Sequence, residues 1–265
     1  MSLFDVSGRV AVITGSSRGI GRAIAERLAE HGAKVVISSR KPEACQAVAD
    51  AINTTRGAGT ALPIPANISS KEDLVKLVAQ ARAACGKIDI LVCNAATNVH
   101  MGPLLTIKDE QFRKILDNNI LSNHWLVQLV APEMKARGAG AIVIVSSVGG
   151  LQGSAMLGAY SLSKAADLQL ARNLAVELGP SNITVNCVAP GIIKTDFARA
   201  LWQNPKIAKA TEAVTPLRRL GEPDDVAGAV VFLCSPAGRY VTGQYLVIDG
   251  GASISGSSAR LDEEP

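Results

Sequence analysis

The segment Arg9–Gly32, RVAVITGSSRGIGRAIAERLAEHG, decides the fold of this 265-residue chain. Its first residues, through Thr14, are mostly β-branched and apolar, which predicts a buried strand. From Gly19 the apolar residues recur with the period of a helix, and Gly32 is the type of residue that ends one. A strand that leads through a glycine-rich turn into a helix is typical of the first unit of a parallel α/β sheet.

The turn between that strand and that helix has the spacing G-x-x-x-G-x-G. Glycines let the backbone approach a ligand, and the unpaired N–H groups at the start of a helix attract phosphate. Many proteins contain such turns, but at this position in a βα repeat the turn predicts a dinucleotide site. The alternative, a P-loop, requires Gly-Lys-Ser/Thr, which this turn lacks. We expect cofactor contacts from Gly15, Ser17, Arg18, Gly19, Ile20 and Gly21.

The rest of the chain repeats the alternation of short apolar runs and longer amphipathic segments. Strands are predicted at 9–14, 34–38, 60–65, 88–93, 141–145, 183–188 and 245–248. Helices are predicted at 19–31, 43–55, 70–85, 109–137, from before Tyr160 to Leu178 and at 223–235, with loop and a short helix over 190–219. This pattern predicts a Rossmann-like, doubly wound parallel seven-stranded α/β sheet with helices on both faces. Because no linker or repeat interrupts it, we expect one domain over 1–251 and a polar, loosely held tail over 252–265.

Composition excludes several classes of function. Hydrophobic residues make up 48% and charged residues 19% of the chain, which predicts a globular protein. Aromatic residues are only 3% and the net charge of +4 is spread without a basic run, so we expect no nucleic-acid partner. No apolar run is as long as a membrane span, so we expect no membrane partner.

The cysteines and histidines favour neither a disulfide framework nor a metal site. The five cysteines are Cys45, Cys85, Cys93, Cys187 and Cys234, and their dispersal is typical of reduced thiols. Residues 1–10 lack the apolar core of a signal peptide, so we expect a cytoplasmic protein. The three histidines lie far apart and no H-E-x-x-H is present, so no metal is expected.

The residues that follow the second predicted strand indicate which nicotinamide cofactor binds. An NAD site places a carboxylate here to bind the ribose 2′-hydroxyl, whereas this chain has Ser39, Arg40 and Lys41. The guanidinium of Arg40 matches a 2′-phosphate, and Arg18 lies on the rim of the same predicted pocket. The pattern predicts NADP(H). The alternative is that Arg40 and Lys41 are solvated charges ahead of a helix.

Ser147, Tyr160 and Lys164 form the predicted catalytic set. Residues four apart on a helix share a face, so Tyr160 and Lys164 project side by side. A free tyrosine has a pKa of about 10, and a nearby ammonium lowers that value. Such a tyrosine exchanges a proton with a carbonyl or an alcohol, and Ser147, just past a predicted strand, is placed to hold the same oxygen. The alternative, two unrelated surface residues, does not account for the dinucleotide turn in the same chain.

Over residues 8–251 the chain resembles the short-chain dehydrogenases/reductases, in their single-domain branch. The matching features are the T-G-x-x-x-G-h-G turn at 14–21, the segment 93–96 in place of N-N-A-G, Asn119, the set Ser147, Tyr160 and Lys164, and Pro190-Gly191 with Thr195. The strings VVISSRK, NAATN, PGIIKT and RRLGEP further resemble the NADP-dependent carbonyl and retinal reductases of the family. Two departures are Ala96, in place of the last glycine of N-N-A-G, and Asn67-Ile68, in place of Asp-Val beside the adenine. An Asn carbonyl still accepts a hydrogen bond there.

The resemblance also implies residue roles. Tyr160 is expected to be the acid/base and Ser147 to orient the carbonyl. Lys164 is expected to hold the ribose hydroxyls and to tune the tyrosine, while Asn119 anchors a water that relays protons. The further cofactor contacts implied are Asn67, Ile68, Asn94, Ala95, Tyr160, Lys164, Pro190, Gly191, Ile193 and Thr195.

Three loops at the expected carboxyl edge of the sheet, 95–101, 148–157 and 192–202, are apolar. They carry Met101, Leu151, Met156, Leu157, Phe197, Leu201 and Trp202. A pocket of this kind predicts an apolar ketone or aldehyde, or its alcohol, as the small-molecule substrate. For any one of these residues an ordinary core position is the alternative, and Trp202 is the best candidate for a lid.

The long helix predicted at 109–137 carries more apolar residues than one face of a sheet needs, and His124 and Trp125 are candidates to face another subunit. The family resemblance implies a homotetramer, or a dimer, formed through this helix. Two other functions stay open. One is a 3-oxoacyl-thioester reductase, which docks an acidic carrier protein on Arg218 and Arg219. The other is a non-catalytic NADP-binding sensor, which would have no need of a proton donor.

Overall fold

The computed structural model describes residues 2–255 and contains a seven-stranded sheet in which every neighbouring pair of strands is parallel. The strands are β1 (Val10–Thr14), β2 (Lys34–Ser38), β3 (Ala61–Pro63), β4 (Ile90–Cys93), β5 (Gly140–Val145), β6 (Ile183–Pro190) and β7 (Tyr245–Ile248). The doubly wound parallel sheet predicted from the sequence is confirmed.

The helices lie between the strands in sequence and cover both faces of the sheet. They are α1 (Gly19–Glu30), α2 (Pro42–Arg56), α3 (Lys71–Cys85), α4 (Asp109–Leu116), α5 (Ser122–Arg137), α6 (Gly158–Leu178), α7 (Arg199–Trp202), α8 (Pro205–Val214) and α9 (Pro223–Cys234). One apolar core joins the sheet to α1, α2 and α9, and a second joins its other face to α3, α5 and α6. Because both faces are covered, the strands are continuous apolar runs.

The strand order is β3-β2-β1-β4-β5-β6-β7, so the order reverses between β1 and β4. Ligands of such sheets bind outside the carboxyl ends of the strands at this reversal, where the crossover helices leave a crevice. Thr14 at the end of β1 pairs with Ser38 at the end of β2, so these ends lie at one edge of the sheet. The topology therefore brings the glycine-rich turn, Ser39 and Asn94 together.

The continuous helix predicted over 109–137 is wrong in one respect, because a π-helical turn, Asp117–Leu121, separates α4 from α5. A π-helical turn widens the helix locally, and such turns frequently lie at functional sites. Here Asn118 and Asn119 are both buried within it. An apolar repeat predicts helix through this region but carries no sign of a change in helix type.

Other segments also differ from the sequence prediction. The third strand is confined to Ala61–Pro63, at the edge of the sheet. Beyond it, Ile64 N–H and Ala66 N–H still donate to Ile37 O (2.9 Å) and Ser39 O (3.1 Å), so the prolines at 63 and 65 occupy the positions whose N–H groups do not pair with β2. The segment predicted as loop and a short helix, 190–219, contains two helices, α7 and α8, with irregular chain before and after them.

The first residues of the predicted tail, 252–255, contact the body of the domain. Within it, Ser253 N–H donates to Asp249 Oδ2 (2.7 Å) and Ser255 Oγ–H to Val214 O (2.7 Å), so 252–255 are held against the body. The rest of the predicted tail, 256–265, lies outside the described residues. Among residues 2–255, no helix is both long and apolar enough to cross a membrane.

Candidate active site

A cavity of about 560 Å³ opens at the carboxyl ends of β1, β2, β4 and β5. Fifteen of the predicted cofactor contacts line it: Gly15, Ser17, Arg18, Gly19, Ile20, Gly21, Ser39, Arg40, Asn67, Ile68, Asn94, Ala95, Tyr160, Lys164 and Thr195. Pro190, Gly191 and Ile193 do not line it. The Ile193 side chain is buried in the core beside Gly221, which explains its distance from the cavity.

The glycine-rich turn is built for close approach. A Cβ on Gly21 would lie 2.4 Å from Asn94 Nδ2 and 2.5 Å from Gly15 O, so only glycine fits. Asn94 Nδ2 in turn donates to Thr14 O (2.9 Å), which joins the end of β4 to the turn. Arg18, the residue before α1, makes no capping hydrogen bond through its side chain, so the first N–H groups of the helix stay available beside the cavity. These features fit the phosphates of a dinucleotide.

Arg40 and Arg18 differ in what they contact at the far end of the cavity. The exposed Arg40 side chain makes no hydrogen bond or ion pair with another residue of 2–255. Arg18 Nη1 lies 3.3 Å from Asp196 Oδ2. A hydrogen bond from Arg199, and its charge, hold the pKa of Asp196 below its ordinary value, with a smaller contribution from Arg18. Arg40 is therefore the more available of the two for an anionic ligand.

Of the predicted catalytic residues, Tyr160 and Lys164 line the cavity, whereas Ser147 and Asn119 lie behind its lining. Lys164 Nζ lies 5.8 Å from the centroid of the Tyr160 ring, one helical turn away on α6. Ser147 Oγ and Tyr160 Cε1 lie 3.4 and 3.9 Å from the position that a Cβ on Gly149 would take, so the serine and the tyrosine flank that glycine. A Cβ on Gly150 would lie 2.6 Å from the backbone carbon of Lys164, so this loop contacts the α6 backbone directly.

Lys164 is buried, and sequence reasoning missed its partner. Its Nζ donates to Val145 O (2.9 Å) and to Asp167 Oδ2 (3.0 Å). Burial lowers the pKa of the Lys164 ammonium, but the charges of Asp167 and Tyr160 outweigh burial and the pKa lies above its ordinary value. Asp167 stands three residues after Lys164 on the same helix, and that spacing is the signal by which the sequence could have shown it.

The side chain of Asn119 makes three hydrogen bonds, which use both of its N–H groups. Its Oδ1 accepts from Thr97 N–H (2.7 Å), and its Nδ2 donates to Thr97 O (3.0 Å) and Ser163 Oγ (2.9 Å). Asn118, which the sequence analysis did not single out, lines the cavity and donates to Thr97 Oγ1 (3.1 Å). The π-helical turn thus ties the loop after β4 to α6. Both N–H groups of the Asn119 amide are used in this role.

The apolar residues predicted for the substrate side fall into two groups. Met101, Leu151, Met156 and Phe197 are exposed, whereas Leu157, Leu201 and Trp202 are half-buried. The Phe197 ring lies 6.1 Å from the Tyr160 ring, which brings an apolar group next to the predicted proton donor. Trp202 Nε1–H donates to Thr195 O (2.7 Å), so this predicted lid residue is tied to the loop that lines the cavity.

The strand order, the glycine-rich turn and the cavity at the reversal point define a Rossmann-type dinucleotide-binding protein. The family model described as Enoyl-(Acyl carrier protein) reductase matches residues 15–253. Dehydrogenase/reductase SDR family member 4 of Homo sapiens is 44% identical over 247 residues, which cover 93% of this chain and 88% of that protein. The chain belongs to the short-chain dehydrogenase/reductase family, whose members are oxidoreductases that bind NAD(P)(H).

Solved structures agree with this assignment. A 7 alpha-hydroxysteroid dehydrogenase complexed with NADH and 7-oxo glycochenodeoxycholic acid has a TM-score of 0.90 and 39% identity, covering 94% of this chain and 96% of that one. A putative NAD(P)-dependent gluconate 5-dehydrogenase from Beutenbergia cavernae with bound NADP has a TM-score of 0.89 and 34% identity, covering 96% of this chain and 100% of that one.

Proposed function

We propose that this protein is an NADP-dependent oxidoreductase that interconverts an apolar ketone or aldehyde and its alcohol. The observation that carries the proposal is the position of Tyr160 in the cavity lining, with the buried Lys164 ammonium 5.8 Å and the exposed Phe197 ring 6.1 Å from the centre of its ring. A proton donor, a fixed positive charge and an apolar surface meet at one point there. Carbonyl reduction needs all three next to a hydride donor.

The roles of the residues follow from this arrangement. The nicotinamide cofactor supplies the hydride in reduction and accepts it in oxidation. In reduction, the Tyr160 hydroxyl donates its proton to the carbonyl oxygen, and the Ser147 hydroxyl holds the same oxygen. The ammonium of Lys164 stabilises the phenolate that remains and offers an N–H to the ribose of the cofactor. Because both N–H groups of the Asn119 amide are used by Thr97 and Ser163, a relay water would have to donate to an oxygen of Asn119.

The preference for NADP is supported by the available Arg40 side chain at the end of β2. A carboxylate, which an NAD site uses to bind the ribose 2′-hydroxyl, is absent from positions 38–41. The hydroxysteroid dehydrogenase was described with NADH and the gluconate dehydrogenase with NADP, so similar folds accept both. The fold alone therefore does not decide between the two cofactors, and we expect residues 38–41 to decide it, with a smaller share from Arg18.

The substrate class is supported by the apolar mouth of the cavity. Phe197 lines the cavity beside Tyr160, and Met101 and Met156 are exposed apolar side chains in two loops that the Gly102 N–H to Met156 O hydrogen bond (2.9 Å) joins. A bulky apolar ligand would cover this surface and exclude water from the proton transfer. The hydroxysteroid dehydrogenase was described with 7-oxo glycochenodeoxycholic acid, a ketone on a large apolar ring system. A ketone or aldehyde of that chemical class is the substrate we propose.

A 3-oxoacyl-thioester reductase is the second candidate, and the description of the matching family model favours testing it. The contacts of Arg219, one of the two arginines predicted to dock a carrier protein, argue against this candidate. Arg219 is engaged with both carboxylate oxygens of Asp225 (2.6 and 2.8 Å), which partly neutralises its charge. This ion pair holds the pKa of Asp225 at about 2.

A substrate panel tests the proposed function directly. The purified chain would be assayed with NADPH and with NADH on an apolar cyclic ketone, an aliphatic aldehyde, a 3-oxoacyl thioester, a 2-enoyl thioester and a sugar ketone. We expect reduction of the cyclic ketone or the aldehyde with NADPH. Turnover of a thioester alone would replace the proposal by the second candidate, and no turnover with cofactor binding retained would indicate a sensor.

We also predict self-association. Leu162 and Val176 on α6 are large apolar residues with 49% and 81% of their surfaces exposed, and Leu121 is exposed at the end of the π-helical turn. Apolar surface of this kind is covered in a stable assembly. Light scattering should give a multiple of the 27.5 kDa chain mass, and Val176→Asp should lower it. Val75→Asp, on exposed α3 surface, is the control. A monomeric wild type at working concentrations contradicts the prediction.

A further inference from the structure

Inside α6 lies a pair of opposite charges that the proposed mechanism does not use in full. The side chain of Lys164 is 2% exposed and that of Asp167 is 0% exposed, and their charged atoms are 3.0 Å apart. Charges removed from water in this way are unfavourable unless each has a partner with good geometry. A chain that only needed a helix here would have an apolar residue at position 167. Helix stability alone therefore does not explain the carboxylate, and we look for its role in the chemistry of the site.

Both oxygens of Asp167 are held. Oδ2 accepts from Lys164 Nζ, and Oδ1 accepts from Asn123 Nδ2 at 3.0 Å. Asn123 Nδ2 also donates to the backbone oxygen of Asn119 (2.6 Å), which connects the pair to the π-helical turn. The carboxylate thus has one orientation, fixed from α5. A group held so firmly can hold its own partner in place.

That partner is the ammonium of Lys164, which has three N–H groups. One donates to Val145 O at the end of β5 (2.9 Å) and one to Asp167, so a third is left to face the cavity that Lys164 lines. A lysine buried without a counter-charge tends to lose its proton. The charge of Asp167 opposes this and, with Tyr160, keeps the pKa of Lys164 above its ordinary value, although burial lowers it. Burial also raises the pKa of Asp167. The Lys164 ammonium and the hydrogen bond from Asn123 lower this pKa, but burial has the larger effect.

Other titratable groups near the pair do not replace Asp167. Cys187 on β6 donates through Sγ to Asp167 O (3.4 Å), and Cys93 ends β4 on the same side. Burial, with the charge of Asp167, raises the pKa of both thiols far above the ordinary value, so they stay neutral. Tyr160 is the reacting group, and Arg172 is positive and exposed. Asp167 is therefore the negative charge that faces Lys164.

We propose that Asp167 is a positioning residue of the reaction, whose carboxylate keeps Lys164 charged and directs one of its N–H groups toward the bound cofactor. This inference rests on the proposed function, since it gives a role to a residue that acts through Lys164. With Asp167 included, a series of hydrogen bonds connects Asn119 through Asn123 and Asp167 to Lys164. The carboxylate touches neither substrate nor cofactor.

The charge of Asp167 also sets the pH range of the reaction. Its removal makes proton loss from the Tyr160–Lys164 pair easier, whichever of the two loses the proton. Seven residues of helix separate Tyr160 from Asp167, a rise of about 10 Å. Two unit charges at about that distance, at an effective dielectric constant of about 20, change a protonation equilibrium by about one pH unit. Carbonyl reduction needs the pair protonated, so its high-pH limb should move to lower pH.

The experiment is the pH profile of carbonyl reduction for wild type and Asp167→Asn. We expect the high-pH limb of kcat to move down by at least about one pH unit, and KM for the cofactor to rise. Asp89→Asn is the matched control, because Asp89 is half-buried and paired with Lys87 (3.1 Å) at the opposite edge of the sheet. It should change stability without moving the limb. An unmoved limb in Asp167→Asn, with lower rates at every pH, would overturn the inference and indicate a structural role.

A second comparison covers the case in which Asp167→Asn does not fold. Lys164→Met with Asp167→Asn leaves no uncompensated buried charge, and replacing both members of a buried ion pair is often tolerated. If Asp167 acts through Lys164, this double variant should have the same rate and pH profile as Lys164→Met alone. A further fall in rate would overturn the inference. An inactive wild type would contradict the proposed function instead, so the two failures are distinguishable.

Discussion

Replacement of Tyr160 by Phe should lower kcat for carbonyl reduction by about 10²-fold or more, the effect typical of a lost proton-transfer group. Phenylalanine keeps the ring beside Phe197 and beside the Lys164 ammonium, and removes only the hydroxyl. The fold and the cavity should therefore stay the same. The measurement is steady-state turnover with NADPH on the best substrate of the panel, together with a fluorescence titration of the cofactor.

Tyr240→Phe is the matched control for that variant. Tyr240 is fully exposed and does not line the cavity, so the same chemical change there should leave kcat unchanged. Cofactor affinity should barely change in either variant, because the role proposed for the Tyr160 hydroxyl is proton transfer to the substrate. Near-normal turnover of Tyr160→Phe, in a folded protein that binds cofactor, would remove Tyr160 from the role of acid/base. A loss of cofactor binding alone would instead assign it to the ribose.

The second large effect concerns the choice of cofactor. We expect a preference for NADPH over NADH of at least about tenfold in kcat/KM, since one charge-assisted hydrogen bond contributes about 1.5 kcal/mol or more and about 1.4 kcal/mol is tenfold. Arg40 should provide it, because its guanidinium has no other partner among residues 2–255. Arg18 should add less, since it is paired with Asp196. The preference should weaken as salt is added, because the site is exposed.

Two variants test the assignment of Arg40. Arg40→Leu should reduce the preference for NADPH. Ser39→Asp with Arg40→Leu should reverse it, because a carboxylate repels the 2′-phosphate and binds the ribose 2′-hydroxyl. Arg239→Leu removes the same charge at an exposed position away from the cavity and should leave the ratio unchanged. Equal use of both cofactors by the wild type would show that Arg40 is only a solvated charge. The assignment of Tyr160 would stand in that case.

The sequence by itself determined the features that depend on neighbours along the chain. The alternation of apolar runs and helical periods predicted the parallel sheet, because both patterns are local and the crossover connection has one favoured hand. The glycine-rich turn was placed correctly at the end of β1, since a strand, a turn and a helix follow each other directly there. The proximity of Tyr160 and Lys164 followed from a four-residue spacing on one helix.

Only the tertiary structure decided the features that depend on partners far apart in the chain. Asn123 and Asp167 are 44 residues apart, and their contact became visible only when α5 and α6 packed on the same face of the sheet. The same holds for the pairing of Arg18 with Asp196 and for the π-helical turn that buries Asn119. An apolar repeat specifies which face of a helix is buried, but it does not specify which polar group is buried there. That depends on whether a distant residue supplies its hydrogen-bonding partner.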